Sequence, residues 1–168
     1  LKEFRVSKSL TKLIRKDIHK VEINSNFEKV INLCAKNKKR KNSWINEQII
    51  ENYTKLHELG FAKSIECYFD KSLVGGLYGI IVGRIFCGES MFSIRENASK
   101  IALTYLAALL KQGGFKFIDT QFYSEHLKQF GTKKISKDKY LKLLKENKLL
   151  ENPIFPERLE KNVLDYFK

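Results

Sequence analysis

Proline is nearly missing from this chain. Only Pro153 and Pro156 occur among 168 residues, both near the C-terminus, where they mark a turn before the last segment. No stretch rich in proline, or in glycine and serine, interrupts what precedes them, and no internal repeat is visible, so neither a flexible linker nor a repeat array is expected. Cysteine is scarce too: Cys34, Cys67 and Cys87 are odd in number and lack metal-ligand spacing. That excludes a disulfide scaffold and a zinc module, and predicts reduced, partly buried thiols in a cytoplasmic protein. No apolar run approaches the roughly 20 residues of a membrane-spanning helix. No secretory leader is seen, and Leu1 is not a natural start, so the native N-terminus is expected upstream. No GxGxxG follows a strand, so a dinucleotide fingerprint is lacking.

Acidic residues are outnumbered: 32 Lys and Arg face 19 Asp and Glu, for a net charge of +13. The imbalance is uneven. Residues 1–45 hold 13 basic against 4 acidic side chains, and the other 123 hold 19 against 15. A lysine-rich proteome would spread such an excess uniformly. Segregated positive charge points to a phosphate backbone as partner, through counterion release. Hydrophobic residues make up 43%, enough at this length for one domain with a real core.

The hydrophobic pattern gives the order of elements. FRV (4–6) reads as a short strand. Ser7 or Ser9 caps a helix to about Asp17, and HKVEIN (19–24) alternates as a strand. Ser25 with Glu28 reads as a capping box before a helix whose face is Phe27, Val30, Ile31 and Cys34. The KNKKRKN run, 36–42, reads as an exposed basic loop. A helix over about 46–59 stops at Gly60. The period then changes to two: 61–69, 73–82 and 85–89 form an antiparallel meander joined by turns at 70–72 and 83–84. Gly75, Gly76 and Gly79 mark a bulge or a place where a ligand lies close to backbone. A long helix over about 97–112 ends at Gly113-Gly114. FKFIDTQF (115–122) reads as a strand buried on both sides. A helical turn at 124–129, a strand near 132–135 and a helix at about 137–148 complete the pattern. The class is α+β, a mixed and mostly antiparallel sheet flanked by helices.

Two carboxylates interrupt apolar strands. Asp119 and Gln121, two apart in 115–122, are expected on one strand face, where they can act on one ligand. Glu89 closes the third strand of the meander. Read alone, each is as readily an ordinary polar strand end.

The residues Trp44-Ile45, L-HELG-A-SIE (56–66), LVGG-YG (73–79), FCGESMFS (86–93), ENASK-AL (96–103), GG---ID-Q (113–121) and His126 together resemble the leucyl/phenylalanyl-tRNA–protein transferase family. The similarity runs from about residue 3 to 148, and FCGESMFS followed by ENASK is highly specific. The resemblance implies a GNAT-like fold, with a basic N-terminal segment 1–45, a catalytic core 46–150 and a C-terminal tail 151–168 in a single compact domain. It implies transfer of Leu, Phe or Met from aminoacyl-tRNA to proteins beginning with Arg or Lys, forming a degradation signal in the N-degron route. No cofactor or metal and no membrane partner is implied, and a monomer is expected.

By the same resemblance, Asp119 orients the attacking amine, and Gln121 holds it by hydrogen bonds or relays its proton. Glu89 and Asp119 bind the cationic acceptor N-terminus. Leu77, Phe86, Met91, Leu103, Leu106, Leu110 and Ile118 fall on the aminoacyl pocket positions, where plain core is the competing reading for each. On an ideal strand Ile118 points away from Asp119. Trp44 resembles the tryptophan near the terminal adenosine of tRNA, the rival reading being a hydrophobic staple on the following helix. Lys8, Lys12, Arg15 and Lys16 resemble the basic helix on the acceptor arm, with the 36–42 run assisting. His57 and His126 are expected to be structural, and Cys87, without an activating base, to be packing.

The family's N-terminal region, with its FPW-type and WWSP-type stretches, does not occur here. A small-molecule acetyltransferase would need a glycine-rich pyrophosphate turn, which SIRENASK does not supply. A cell-wall aminoacyltransferase would not carry FCGESM with IDTQ. The remaining alternative is a non-catalytic or truncated tRNA-binding relative; against decay stands the joint retention of Glu89, Asp119 and Gln121.

Overall fold

A computed structural model of the chain describes residues 1–36, 43–148 and 153–168. The 36–42 basic run, from Asn37 onward, lies outside the described residues. The elements are α1 (Lys8–Arg15), β1 (Lys20–Ile23), α2 (Phe27–Ala35), α3 (Glu47–Glu58), β2 (Ala62–Phe69), β3 (Ser72–Val82), β4 (Ile85–Ser93), α4 (Ala98–Gln112), β5 (Phe117–Asp119), α5 (Glu125–Lys128), α6 (Lys137–Lys148) and a 3-10 turn, Val163–Phe167. The strands form one sheet in the order β1-β2-β3-β4-β5. The first three pairings are antiparallel, and β4–β5 is parallel after the α4 crossover. The α+β architecture is therefore present, with strand β1 of the basic segment built into the sheet.

Local chemistry explains the boundaries. Ser7 caps α1 by accepting from the Leu10 N–H at 3.2 Å. Asp70 and Lys71 both have positive φ, 47° and 61°, the conformation of a two-residue hairpin turn between β2 and β3. Buried residues of α4, with Leu10 of α1, cover one face of the sheet at Ile65, Leu77 and Phe86, while Val30 and Ile31 of α2 and Ile49 and Ile50 of α3 cover the other at Tyr78 and Phe92. Ile101, Leu106, Leu109 and Leu110 are almost wholly buried on α4; burying each is worth about 1.5–3 kcal/mol. Gly75 serves this packing rather than a ligand, since a Cβ there would sit 2.5 Å from the Ala98 Cβ.

Several expected features are corrected. The α2 cap is Asn26, which accepts from the Lys29 N–H at 3.2 Å, one residue later than the Ser25/Glu28 box. The Ser25 N–H instead donates to the fully buried Glu66 carboxylate at 3.3 Å, and the Ser64 hydroxyl donates to the same group at 2.5 Å. Burial pushes the Glu66 carboxyl upward against those hydrogen bonds. Residues 4–6 and 132–135 are not strands; the Arg5 N–H donates to the Phe130 carbonyl at 3.1 Å, tying two loops together. Strand β4 continues through Ser93 instead of ending at Glu89. Strand β5 is only three residues, each half-buried rather than buried on both sides.

Candidate active site

Two irregularities build the site. The first is in β4, where Gly88 faces Gly79 and Ser90 faces Tyr78, so Glu89 is left over as the extra residue of a β-bulge. A bulge re-aims a side chain and bends its strand. The second is in β5, which pairs with β4 only at Ile85–Cys87 before Gln121 turns the chain into a left-handed conformation, φ 57°. The two parallel strands therefore separate beyond Cys87 and Asp119.

On the α4 side of this opening lies a cavity of about 410 Å³. Leu77, Met91, Leu103, Leu106 and Ile118 line it, with Glu89, Ser90, Thr120, Phe122 and His126 at its polar or open parts. Two of the expected pocket residues, Phe86 and Leu110, are fully buried in the core and do not line the cavity. Ser90 is 8% exposed and its hydroxyl has no hydrogen-bond partner among the described residues.

The opposite side carries the ionisable groups. Asp119 is the register partner of Cys87, which itself faces Ile80, a residue packed with α2 and α3. One Asp119 oxygen accepts from the Gln121 backbone N–H and the other from the Tyr140 hydroxyl, both at 2.7 Å. The sequence-based pairing of Asp119 and Gln121 along one strand face is thus corrected. They are neighbours through a turn, and the contact uses the Gln121 backbone while its side chain lies in an exposed residue.

Glu89 also stands near a tyrosine, Tyr53. Burial, the Glu89 charge and a hydrogen bond to it push Tyr53 up to about 12. Tyr140 is likewise pushed up to about 12, first by its hydrogen bond to Asp119 and then by burial. Burial, then Asp119 and Glu89, raise the Cys87 thiol to about 11, which leaves it a poor nucleophile at neutral pH. The site is therefore two carboxylates around an inert thiol, Asp119 held by Tyr140 and Glu89 beside Tyr53. Neither tyrosine stands out in the sequence as a site residue; Tyr53 falls within the expected helix 46–59, and nothing local shows that position 140 returns to position 119.

The remaining candidates lie apart from this opening in the chain. Lys8, Lys12, Arg15 and Lys16 are exposed on α1 and its C-cap. Trp44 is 46% exposed, just before the Asn46 cap of α3. His57 stacks on Phe27 at 4.3 Å and its Nδ1 lies 2.9 Å from the Ala62 carbonyl oxygen. Among the described residues no cluster of His, Cys, Asp and Glu is placed to hold a metal, and no helix is long and apolar enough to cross a membrane.

An apolar cavity beside a carboxylate pair can seat a large apolar acyl group next to a cationic amine, the requirement of an acyl transferase with an amine acceptor. A family model described as leucyl/phenylalanyl-tRNA protein transferase matches residues 1–145, and this chain belongs to that family of transferases. It is 47% identical over 152 residues to the leucyl/phenylalanyl-tRNA–protein transferase of Maricaulis maris, covering 90% of this chain and 70% of that protein. It is 50% identical over 143 residues to the protein of that name from Zymomonas mobilis, covering 84% and 53%. The match thus reaches from little more than half to about two thirds of its relatives' lengths. Among solved structures, an aminoglycoside acetyltransferase from an uncultured soil metagenomic sample aligns with a TM-score of 0.49 at 16% identity, over 87% of this chain and 93% of that one. A ribosomal-protein-alanine N-acetyltransferase from Brucella melitensis aligns with a TM-score of 0.45 at 9% identity, over 86% and 99%.

Proposed function

We propose that this chain transfers Leu, Phe or Met from aminoacyl-tRNA to the N-terminal Arg or Lys of acceptor proteins, in the cytoplasm, creating a degradation signal. The observation that carries the reading is the pairing of Glu89 and Asp119 beside an apolar cavity on a chain of net charge +13. A basic protein repels a cationic N-terminus unless carboxylates receive it locally.

In this reading the aminoacyl side chain lies among Leu77, Met91, Leu103, Leu106 and Ile118, and its ester carbonyl reaches the opening between β4 and β5. Glu89 receives the cationic side chain of the acceptor, and Asp119 orients its α-amino group. A free α-amine has a pKa of about 7.7–8.0, so a useful fraction is neutral at physiological pH. The amine nitrogen attacks the ester carbon; the C–N bond forms as the bond to the ribose oxygen breaks. One proton leaves the amine and one is gained by that oxygen, with Asp119 and Gln121 placed to hold or pass it. Exchange of an ester for an amide is downhill. Positioning and electrostatic support of the tetrahedral intermediate then suffice, with no covalent enzyme intermediate. Lys8, Lys12, Arg15 and Lys16 hold the acceptor arm through phosphates, and Trp44 stacks on the terminal base, a contact worth about 1–3 kcal/mol.

The test is transfer of labelled leucine from charged tRNA to peptides beginning with Lys, Arg or Ala. Label on the Lys and Arg peptides alone is the expected result. Charged tRNA bound without any transfer would replace this reading with that of a tRNA-binding relative.

A further inference from the structure

The chain has 32 Lys and Arg, yet among the described residues no ion pair joins one to either site carboxylate. The ion pairs among the described residues join Lys20 to Glu22, Lys128 to Glu125, Lys133 to Glu3 and Lys168 to Asp165, all on the surface. Asp119 is fixed instead by a hydroxyl and a backbone amide, one on each oxygen. A carboxylate has about four lone-pair sites, so one on each oxygen stays free. A lysine or arginine partner would orient the group but cancel the charge that attracts an ammonium ion. A phenol orients it and leaves the charge in place.

We propose that Tyr140 is a positioning residue for the transfer reaction, aiming the free lone pairs of Asp119 at the acceptor amine while preserving its charge. This rests on the transferase reading above. The carrier is α6, capped at its start and tied to the sheet near its end. Its first turn is closed by Ser136, whose carbonyl accepts from the Tyr140 N–H at 3.0 Å and whose hydroxyl accepts from the Lys139 N–H at 3.3 Å. Near its C-terminal end, the Asn147 carbonyl accepts from the Arg84 N–H at 3.1 Å, at the turn between β3 and β4. The helix therefore spans from the turn that starts β4 to the carboxylate that ends β5. Its phenol sets Asp119 against the same strand that carries Glu89.

The experiment compares Tyr140→Phe, which removes one oxygen, with wild type and with Asp119→Asn. Tyr140→Phe is expected to lower kcat for peptide transfer by about 10- to 100-fold, the scale of a misplaced catalytic group. The KM for aminoacyl-tRNA and the Tm should stay at wild-type values. In the Asp119→Asn background the same change should cost nothing further, because the carboxylate it aims is gone. A residue that merely packs would lower the two rates by the same factor. Wild-type kcat in Tyr140→Phe, or equal losses in both backgrounds, overturns the proposal. Failure of the transferase reading shows on the unmutated chain as absence of any transfer. NMR of tyrosine labelled at Cζ reads the bond independently of activity. The Tyr140 resonance, assigned by its loss in Tyr140→Phe, should titrate near 12 in wild type and clearly lower in Asp119→Asn; an unchanged titration also overturns the proposal.

Discussion

The two sides of the β4–β5 opening are built from the same strands and have opposite chemistry. Toward α4, Leu77, Met91, Leu103, Leu106 and Ile118 enclose an apolar space. Toward α3 and α6, Glu89 stands beside Tyr53 and Tyr140 holds Asp119. Strand alternation alone separates Ile118 from Asp119. Glu89 escapes that alternation because it is the extra residue of a bulge, and so it both lines the cavity and lies near enough to Tyr53 to raise its pKa. The contrast teaches that one short parallel pairing can set an apolar space and a pair of carboxylates side by side, the arrangement on which the proposed function rests.

The largest expected effect is on the acidic side. Asp119→Asn should lower peptide transfer by about 100-fold or more, the scale on which misplaced reacting groups lose rate, while filter binding of charged tRNA is unchanged. Transfer at the wild-type rate would break the comparison at its centre. A smaller effect belongs to the apolar side. Met91→Ala enlarges the cavity and should change the ratio of Phe to Leu transfer by about tenfold, within the range that one pocket contact supplies. The change should leave the preference for Lys over Ala peptides untouched; a joint loss of both would mean the two sides are not separate.

The smallest effect is a control at the far edge of the sheet. His19 is buried against Phe69 with neither ring nitrogen partnered among the described residues, and burial and then Arg95 lower its pKa from 6.5. The folded protein thus favours neutral His19. Its contribution to stability is complete above pH 6.5 and is lost as pH falls through the lower folded value. Thermal unfolding of wild type and His19→Leu at pH 7.5 and pH 5 should show a smaller acid-induced fall in Tm for the variant, with equal transfer at pH 7.5. An equal fall would remove His19 from the acid response.

The meander and α4 were legible because their hydrophobic period changes sharply from two to helical spacing, with Gly60 and Gly113 as punctuation. Strand β5 was overread because Phe115, Phe117, Ile118 and Phe122 spread apolar side chains over a segment of which only Phe117–Asp119 joins the sheet. The cause lies partly elsewhere: the bulge at Glu89 turns β4 aside and leaves only Ile85–Cys87 to pair. The α2 cap moved by one residue because the Ser25 hydroxyl, the group that would cap, is paired with the Tyr68 hydroxyl at 3.3 Å, and its N–H is given to Glu66, partners more than 40 positions away. A clue to Glu66 was present, since Ser64, Glu66 and Tyr68 alternate along one face of β2. Glu89 and Asp119 stood out as charges within apolar runs. Their tyrosines did not, because Tyr53 reads as one more apolar position of a helix and Tyr140 is brought home only by the tertiary fold.

The most direct measurement is the acceptor preference of wild type and Glu89→Gln for peptides beginning with lysine or with norleucine, its uncharged near-isostere. Wild type should prefer lysine strongly, and Glu89→Gln should lose about tenfold or more of that preference, the equivalent of one charge-assisted contact. Its Phe-to-Leu ratio from tRNA should stay unchanged. A lysine preference that survives in Glu89→Gln would contradict the assignment of the acidic side to the acceptor.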